Sequence, residues 1–302
     1  MRNYLFFLLV VIFAINLDVN AQILDPDKGP RAWKKDNVEQ KEAVTLTYVR
    51  EADVFWSKRV WRTIDLRQKM NLPLYYPTQD SATHGKRSLM QVIYDEFIYG
   101  AKSGPDAVKI YSNYELRQQD ELDAAEVMKT LAPSDSLYGL DSTGMNVVKK
   151  AYERIFEAQN VTKFLIMEDW FFDKQRSVMD VRILAFGFKY PVYKAEVQID
   201  PITQQALFDG WKKMPVEEDY WFFFPQMRPV FASIEVYNRY NDAQRLSYDD
   251  IFLKRQFGSY ITKEENVYDR SIQEYKKGLD ALIEADKIKN EIFNLEQELW
   301  EY

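Results

Sequence analysis

Residues 161–188 constrain the fold most. Residues 161–172 are dense in aromatic and aliphatic side chains, Asp173-Lys174-Gln175 is a turn candidate, and residues 178–188 resume the apolar pattern. Two such runs around a short polar turn predict a long β-hairpin. Residues 192–199 then alternate: Tyr193, Ala195, Val197 and Ile199 face one way, Lys194, Glu196 and Gln198 the other. That is the period of a half-buried strand. Asp200-Pro201 ends it, and Trp221-Phe222-Phe223-Phe224 offers a fourth strand.

Helical patterns surround this block. In residues 52–65, a 100° period gathers Trp56, Val60, Trp61 and Ile64 on one side and Lys58, Arg59 and Arg62 on the other. The expectation is a buried face opposite a basic one, able to dock an acidic partner. Residues 72–77 carry Pro73 and Pro77 and cannot form a helix interior. Residues 78–85 read as a polar loop holding His84. Ser88 is an N-cap type that opens a helix running to about Tyr99 and stopped by Gly100. Further helices are expected over 120–131, stopped by Pro133, and over 146–158, where Val147, Ala151, Ile155 and Ala158 share a side. A loop over 137–144 separates them. Ser247 caps another helix over 247–256.

Residues 271–302 read as one long helix. Ile272, Tyr275, Leu279 and Leu282 form a first stripe; Ala281, Ala285, Ile288, Ile292, Leu295 and Leu299 form a second, at 4-3-4-3-4 spacing. A 3.5-residue period makes a narrow seam. Two occupants remain open for it: the chain's own core, or a partner helix meeting Ile288, Ile292, Leu295 and Leu299. Helices at both ends flanking a central antiparallel sheet, with a long C-terminal helix, make an α+β fold.

The start of the chain bears on compartment. Arg2 precedes an apolar run over 4–15, and Ala21 offers a small residue at a cleavage point. That is the pattern of a secretory signal peptide over 1–21. The run is shorter than the roughly 20 residues that span a bilayer. Residues 22–45, with Asp25-Pro26-Asp27-Lys28-Gly29-Pro30, read as a flexible arm in which Trp33 is either simply exposed or an anchor for a pocket elsewhere. The α+β domain then covers 46–270. With no cysteine after the apolar run there is no site for lipid attachment there, so the expected product is soluble and exported.

Composition removes several chemistries. Of 302 residues none is Cys and one is His, which excludes thiolate nucleophiles and multi-His metal sites. A net charge of -7 argues against nucleic-acid binding. No phosphate loop, HExxH, EF-hand or GxSxG pattern occurs, and no cofactor is expected. The best catalytic candidates are Glu168 and Asp169, but strand alternation sends them to opposite faces. A hairpin register that sets Glu168 against Arg182 would make it a structural ion pair. Asp249-Asp250, Glu264-Glu265 and Glu217-Glu218-Asp219 read as wet surface. The 15% aromatic content fits either large protein interfaces or glycan binding.

Several ordered blocks carry a resemblance. They are residues 52–62 (ADVFWSKRVWR), Ile64-Asp65-Leu66-Arg67, Asn71-Leu72-Pro73-Leu74-Tyr75-Tyr76-Pro77, residues 168–179 (EDWFFDKQRSVM), Tyr237-Asn238, residues 241–245, 248–252, and Asn266-Val267-Tyr268-Asp269-Arg270. Over about residues 50–300 the chain resembles the gliding motility GldN family, called PorN in non-gliding relatives. The resemblance implies a non-enzymatic part of the type IX secretion system of the Bacteroidota. It implies a periplasmic site at the inner side of the outer membrane. It also implies a large ring built with the lipoprotein GldK or PorK, with the periplasmic part of GldM or PorM as a further partner. It transfers no catalytic residue. Lys58, Arg59, Arg62, Trp33 and the C-terminal seam are the partner-binding candidates inferred from the residues themselves. The alternative is a periplasmic glycan-binding or glycan-processing protein.

Overall fold

The computed structural model describes residues 41–78, 86–100, 107–140, 146–199, 206–238 and 244–300. All of them fall in one compact unit, Glu39–Tyr302. The expected signal peptide, Trp33 and His84 lie outside the described residues. In chain order the described elements are β1 (Val54–Asp65), α1 (Leu72–Tyr75), α2 (Leu89–Ile93), β2 (Ile110–Tyr111), β3 (Glu121–Leu122) and α3 (Ala124–Leu131). Next come β4 (Ser134–Leu140), β5 (Asn146–Glu153), β6 (Lys163–Asp173), β7 (Val178–Ile199), β8 (Ala206–Phe223) and α4 (Phe224–Ser233). The chain ends with α5 (Tyr248–Leu253), β9 (Tyr260–Glu264), α6 (Ile272–Tyr275) and α7 (Leu279–Trp300).

The predicted hairpin is the centre of the fold. β6 and β7 pair antiparallel from Phe164–Phe188 to Asp173–Val178. Their turn is fixed by Asp173, whose carboxylate accepts from the Gln175 and Arg176 N–H groups, while Ser177 takes a positive φ of 51°. The two predicted strands 178–188 and 192–199 are one continuous strand of 22 residues. β8 returns along it, so the sheet runs β3-β2-β8-β7-β6-β1-β9, antiparallel at every join. Gly187 is required where β7 meets β8: a Cβ there would sit 2.6 Å from the Tyr220 carbonyl and 2.9 Å from the Trp221 ring.

Two expected helices are strands, for one reason. Within the expected helix 52–65, residues 54–65 form β1, and within 146–158, residues 146–153 form β5, which pairs with β4 across the expected loop. Trp56, Val60 and Ile64, like Val147, Ala151 and Ile155, recur every four residues. Four is close to a helical turn and is also twice the strand period, so both structures put such residues on one side. β1 lies between β6 and β9 and is covered on both faces, so Val60, Trp61, Arg62, Thr63 and Ile64 are all buried. A strand covered on both sides loses its alternation and can imitate a helix in sequence. After one 3-10 turn at Glu51–Asp53, the chain therefore enters a strand, not the long helix expected at that end.

The local punctuation reads more faithfully. The Ser88 hydroxyl accepts from Gln91 N–H at the start of α2, which continues in wider turns over Tyr94–Tyr99 and ends at Gly100. α3 is shorter than expected because Asp123, not Asp120, caps it. Ser247 and Asp250 form a reciprocal capping box on α5. Pro73 sits in the first turn of α1, where a missing N–H is harmless. The expected long C-terminal helix breaks at Gly278, which adopts φ +60° between α6 and α7.

One sheet face carries the main core. Ile64, Phe164, Ile166, Phe186, Phe188 and Phe222 lie under α2, α3, α4 and α5, which supply residues such as Val92, Phe97, Leu131, Phe231 and Phe252. Phe186 contacts the rings of Phe164, Phe231 and Phe252 at 5.2, 6.1 and 5.3 Å between centroids. The C-terminal seam is filled by the chain's own sheet: Ala285, Ile288 and Ile292 pack on Val60, Ile261 and Ile272, with Trp56 and Trp170 beside them. Leu295 is half-buried. On the other sheet face Trp61, Leu165, Met167, Ala185 and Trp221 form a smaller cluster, with Tyr114 edge-on to both tryptophans. Ile292→Ala should therefore lower folding stability by roughly 2–5 kcal/mol in urea titration. Leu282→Ala, on the outward side of α7, should stay within about 0.5 kcal/mol of the parent.

Candidate interaction surface

The three cations expected on one helix face are divided by β1. Lys58 and Arg62 lie on the Val60 side, and Arg59 lies on the Trp61 side. Each is engaged. Lys58 pairs with Glu264 at 2.5 Å. Arg59 holds both Asp169 oxygens, at 2.6 and 2.8 Å, and this bond raises its pKa above the ordinary value. Arg62 is buried and donates to Ser259 Oγ and O at 2.9 and 3.3 Å; burial pushes its pKa down, opposed by the charge of Glu168. The expected helix face that gathers all three cations therefore does not form, because a strand sends neighbouring residues to opposite sides.

The carboxylates are spent on structure. Glu168 and Asp169 do face opposite ways, but a bulge after Met167 sets Glu168 opposite Ile183 and Asp169 opposite Arg182. The fully buried Glu168 takes its ion pair from Arg255 instead. Arg255 Nη2 and Trp170 Nε1 each donate to Oε2 at 3.1 Å. Oε1 lies 3.0 Å from Arg255 Nη1 without an aligned hydrogen bond. Asp249, read from sequence as wet surface, is also buried. Its oxygens accept from Arg228 Nε and Nη2 at 2.8 and 3.0 Å. Among the described residues no three His, Asp or Glu side chains converge as metal ligands.

Arg228 leads to a feature the sequence reading missed. Its Nη2 also donates to the Val44 carbonyl at 2.6 Å. Arg182 Nη2 donates to the Thr47 carbonyl and hydroxyl, both at 3.1 Å. Lys41 reaches Asp250 and, at 3.3 Å, Ser247 Oγ. Residues 41–50 thus run extended over α4, α5 and β7, held by side chains, not by a strand ladder. The alternation Val44, Leu46, Tyr48 between Thr45 and Thr47 was the available signal. A cavity of about 200 Å3 lies against this segment, lined by Leu46, Val181, Ile183, Phe224, Phe252 and Leu253 among others.

Other surface features are apolar or open. A cleft of about 500 Å3 is lined by residues of β9, α6 and the start of α7. The outer side of α7 exposes Leu279, Leu282, Ile283 and Phe293. Leu299 falls on α7. No helix among the described residues is long and apolar enough to cross a membrane.

Asp249→Asn should cost about 3–5 kcal/mol of folding stability, because it strands a buried guanidinium. The pair Arg228→Met with Asp249→Leu should recover most of that loss in the same melt. Asp250 gives a pH dependence. Burial alone would raise its pKa, but bonds from Lys41 and from Ser247 hold it below the ordinary 3.8. Its contribution is complete above the ordinary aspartate range and vanishes as pH falls through the lowered value. Thermal melts should therefore show an acid-side decline below about pH 4 that Asp250→Asn reduces.

A family model described as Gliding motility associated protein GldN matches residues 49–301. No curated protein matches the chain. The match spans β1 through α7, the sheet and both sets of covering helices, so the chain belongs to the GldN family of gliding-motility-associated proteins.

Proposed function

We propose that this protein is a non-enzymatic structural subunit of the type IX secretion system, lying in the periplasm against the outer membrane. There it builds a large ring with a lipoprotein of the GldK or PorK kind and meets the periplasmic part of GldM or PorM. The family match over residues 49–301 carries this reading. The use of side chains supports it. Glu168, Asp169 and Asp249 each face an arginine. Many aromatic rings pack inside, through contacts that run from Phe97 to Phe257, while Tyr48, Tyr99 and Tyr268 stay exposed.

A ring subunit must show its neighbours two different patches, because head-to-tail contacts are heterologous. The outward side of α7 exposes Leu279, Leu282, Ile283 and Phe293, and segment 41–50 exposes Val44, Leu46 and Tyr48. Co-expression with the outer-membrane lipoprotein should give a large co-purifying assembly. A protein that stays monomeric beside its lipoprotein would sink the proposal. The variants Glu168→Gln and Asp169→Asn should assemble and support secretion whenever they fold.

A further inference from the structure

The turn between β9 and α6 is firmly tied yet buries nothing at its tip. The Asn266 side chain donates to the Glu264 and Arg270 carbonyls at 2.8 and 2.9 Å and accepts from the Tyr268 and Arg270 N–H groups at 3.1 and 3.3 Å. Asp269 N–H donates to the Asn266 carbonyl at 3.0 Å, and Lys263 holds the Asp269 carboxylate. The side chains this turn presents are Val267, 99% exposed, and Tyr268, 75% exposed. Holding them in place beforehand lowers the ordering cost of a contact made there.

Arg270 completes this surface. Its guanidinium lies over the Tyr268 and Tyr275 rings, 4.7 and 5.0 Å from their centroids. Arg59, Arg87, Arg182, Arg228 and Arg255 each hold a carboxylate. Among the described residues Arg270 holds none, and neither does Lys277. Glu264, Asp269 and Glu284 are taken by Lys58, Lys263 and Lys276. Glu265 and Asp280 stand within ion-pair distance of neither free cation. Lys277 also borders the 500 Å3 cleft, whose apolar wall is Ile261, Ile272, Ala281 and Leu282. The surface therefore lacks a carboxylate and apolar side chains to fill the cleft.

The far end of α7 carries both. Residues 293–302 read FNLEQELWEY, with Glu296, Glu298 and Glu301 set among Phe293, Leu299 and Trp300 and no cation. The last turn of α7 has no basic residue. Its acids thus stand at the negative end of the helix dipole, where cations are favoured. The same copy cannot satisfy them at Arg270. At about 1.5 Å per residue, Glu298 lies roughly 25 Å along the axis from Leu282 on the cleft wall. We propose that the turn 266–270 and the adjoining cleft are a docking site for the α7 end, residues 293–302, of a second copy of this chain. Glu296 and Glu298 supply the charge that Arg270 and Lys277 lack, and Leu299 and Trp300 supply the apolar filling beside Val267 and Tyr268. Tyr and Arg at the centre of such a contact are the residue types that carry most binding energy. One end of α7 meets the other end of the next, so the contact is head-to-tail and closes into a ring when the rotation allows. It rests on the ring reading above and names one of the contacts between neighbours that a ring requires.

The absence of native cysteine makes the test direct. Val267→Cys is placed in one tagged full-length copy and Gln297→Cys in a differently tagged one; both positions are exposed, so both variants should fold. The two are co-expressed with the outer-membrane lipoprotein, treated with a short bismaleimide and run on denaturing gels. A doubly tagged dimer is expected. Adding Arg270→Glu and Lys277→Glu to the Val267→Cys copy should reduce that dimer about tenfold or more. Adding Glu296→Lys and Glu298→Lys to the Gln297→Cys copy should then restore it. No doubly tagged dimer, a dimer indifferent to the charge reversal, or a reversal without rescue overturns the docking. Lipoprotein binding lost on reversal, with no link between copies, overturns it too and assigns the surface to an acidic partner. Large particles without the link refute the docking and leave the ring reading standing. A link with charge rescue but no large particles does the reverse.

Discussion

The structure depends on an aromatic sheet face that cannot be left in water. Phe164, Phe186, Phe188 and Phe222 stand together on neighbouring strands β6, β7 and β8, and none has measurable exposure. Burying one phenylalanine is worth roughly 1.5–3 kcal/mol, so this face decides what must lie over it. α2, α4 and α5 answer with Phe97, Phe224, Phe231 and Phe252, set edge-on or tilted, as ring quadrupoles prefer. Once those helices are placed, the buried Arg228–Asp249 bridge ties α4 to α5. That bridge in turn fixes the arginine that grips Val44. The surface groove is thus a consequence of core packing.

Charge follows the same logic. The chain carries 47 acidic and 40 basic side chains, and a strand-rich body scatters neighbours to opposite faces. Arg59 and Arg62 are three residues apart, yet one is half-exposed beside Asp169 and the other is buried beside Glu168. The buried bridges, Arg255 with Glu168 and Arg228 with Asp249, join elements remote in sequence. Such pairs are costly to break and specify which surfaces meet. The Arg255–Glu168 pair registers the end of α5 against β6, and the Arg228–Asp249 pair registers α4 against α5.

The C-terminal region shows where a correct pattern needs structure to interpret it. Ala285, Ile288 and Ile292 do form one seam, and the seam does want a neighbour; the neighbour is the chain's own Val60 and Ile261. Breakage at Gly278 is what allows this, since a straight helix from Ser271 could not fold back along β9 and keep Ile272 in the same cluster. With that seam occupied, Leu279, Leu282, Ile283 and Phe293 are left facing outward. The exposed apolar side of α7 is therefore opposite to the side that carries its regular spacing.

What the sequence determined by itself was local and covalent in range: the β6–β7 hairpin with its Asp173 turn, the caps at Ser88 and Ser247, the stop at Gly100, and the opposed directions of Glu168 and Asp169. The ordered blocks between residues 49 and 301 also sufficed to identify the family. Tertiary structure alone decided that the four-residue spacings of β1 and β5 belong to strands, because such spacing satisfies both periods until a neighbouring strand supplies hydrogen bonds. It alone decided that Asp249 is inside and that Arg228 reaches Val44, a contact across 184 positions. Pairings of that span leave no periodic trace, since they are fixed by which faces the core brings together.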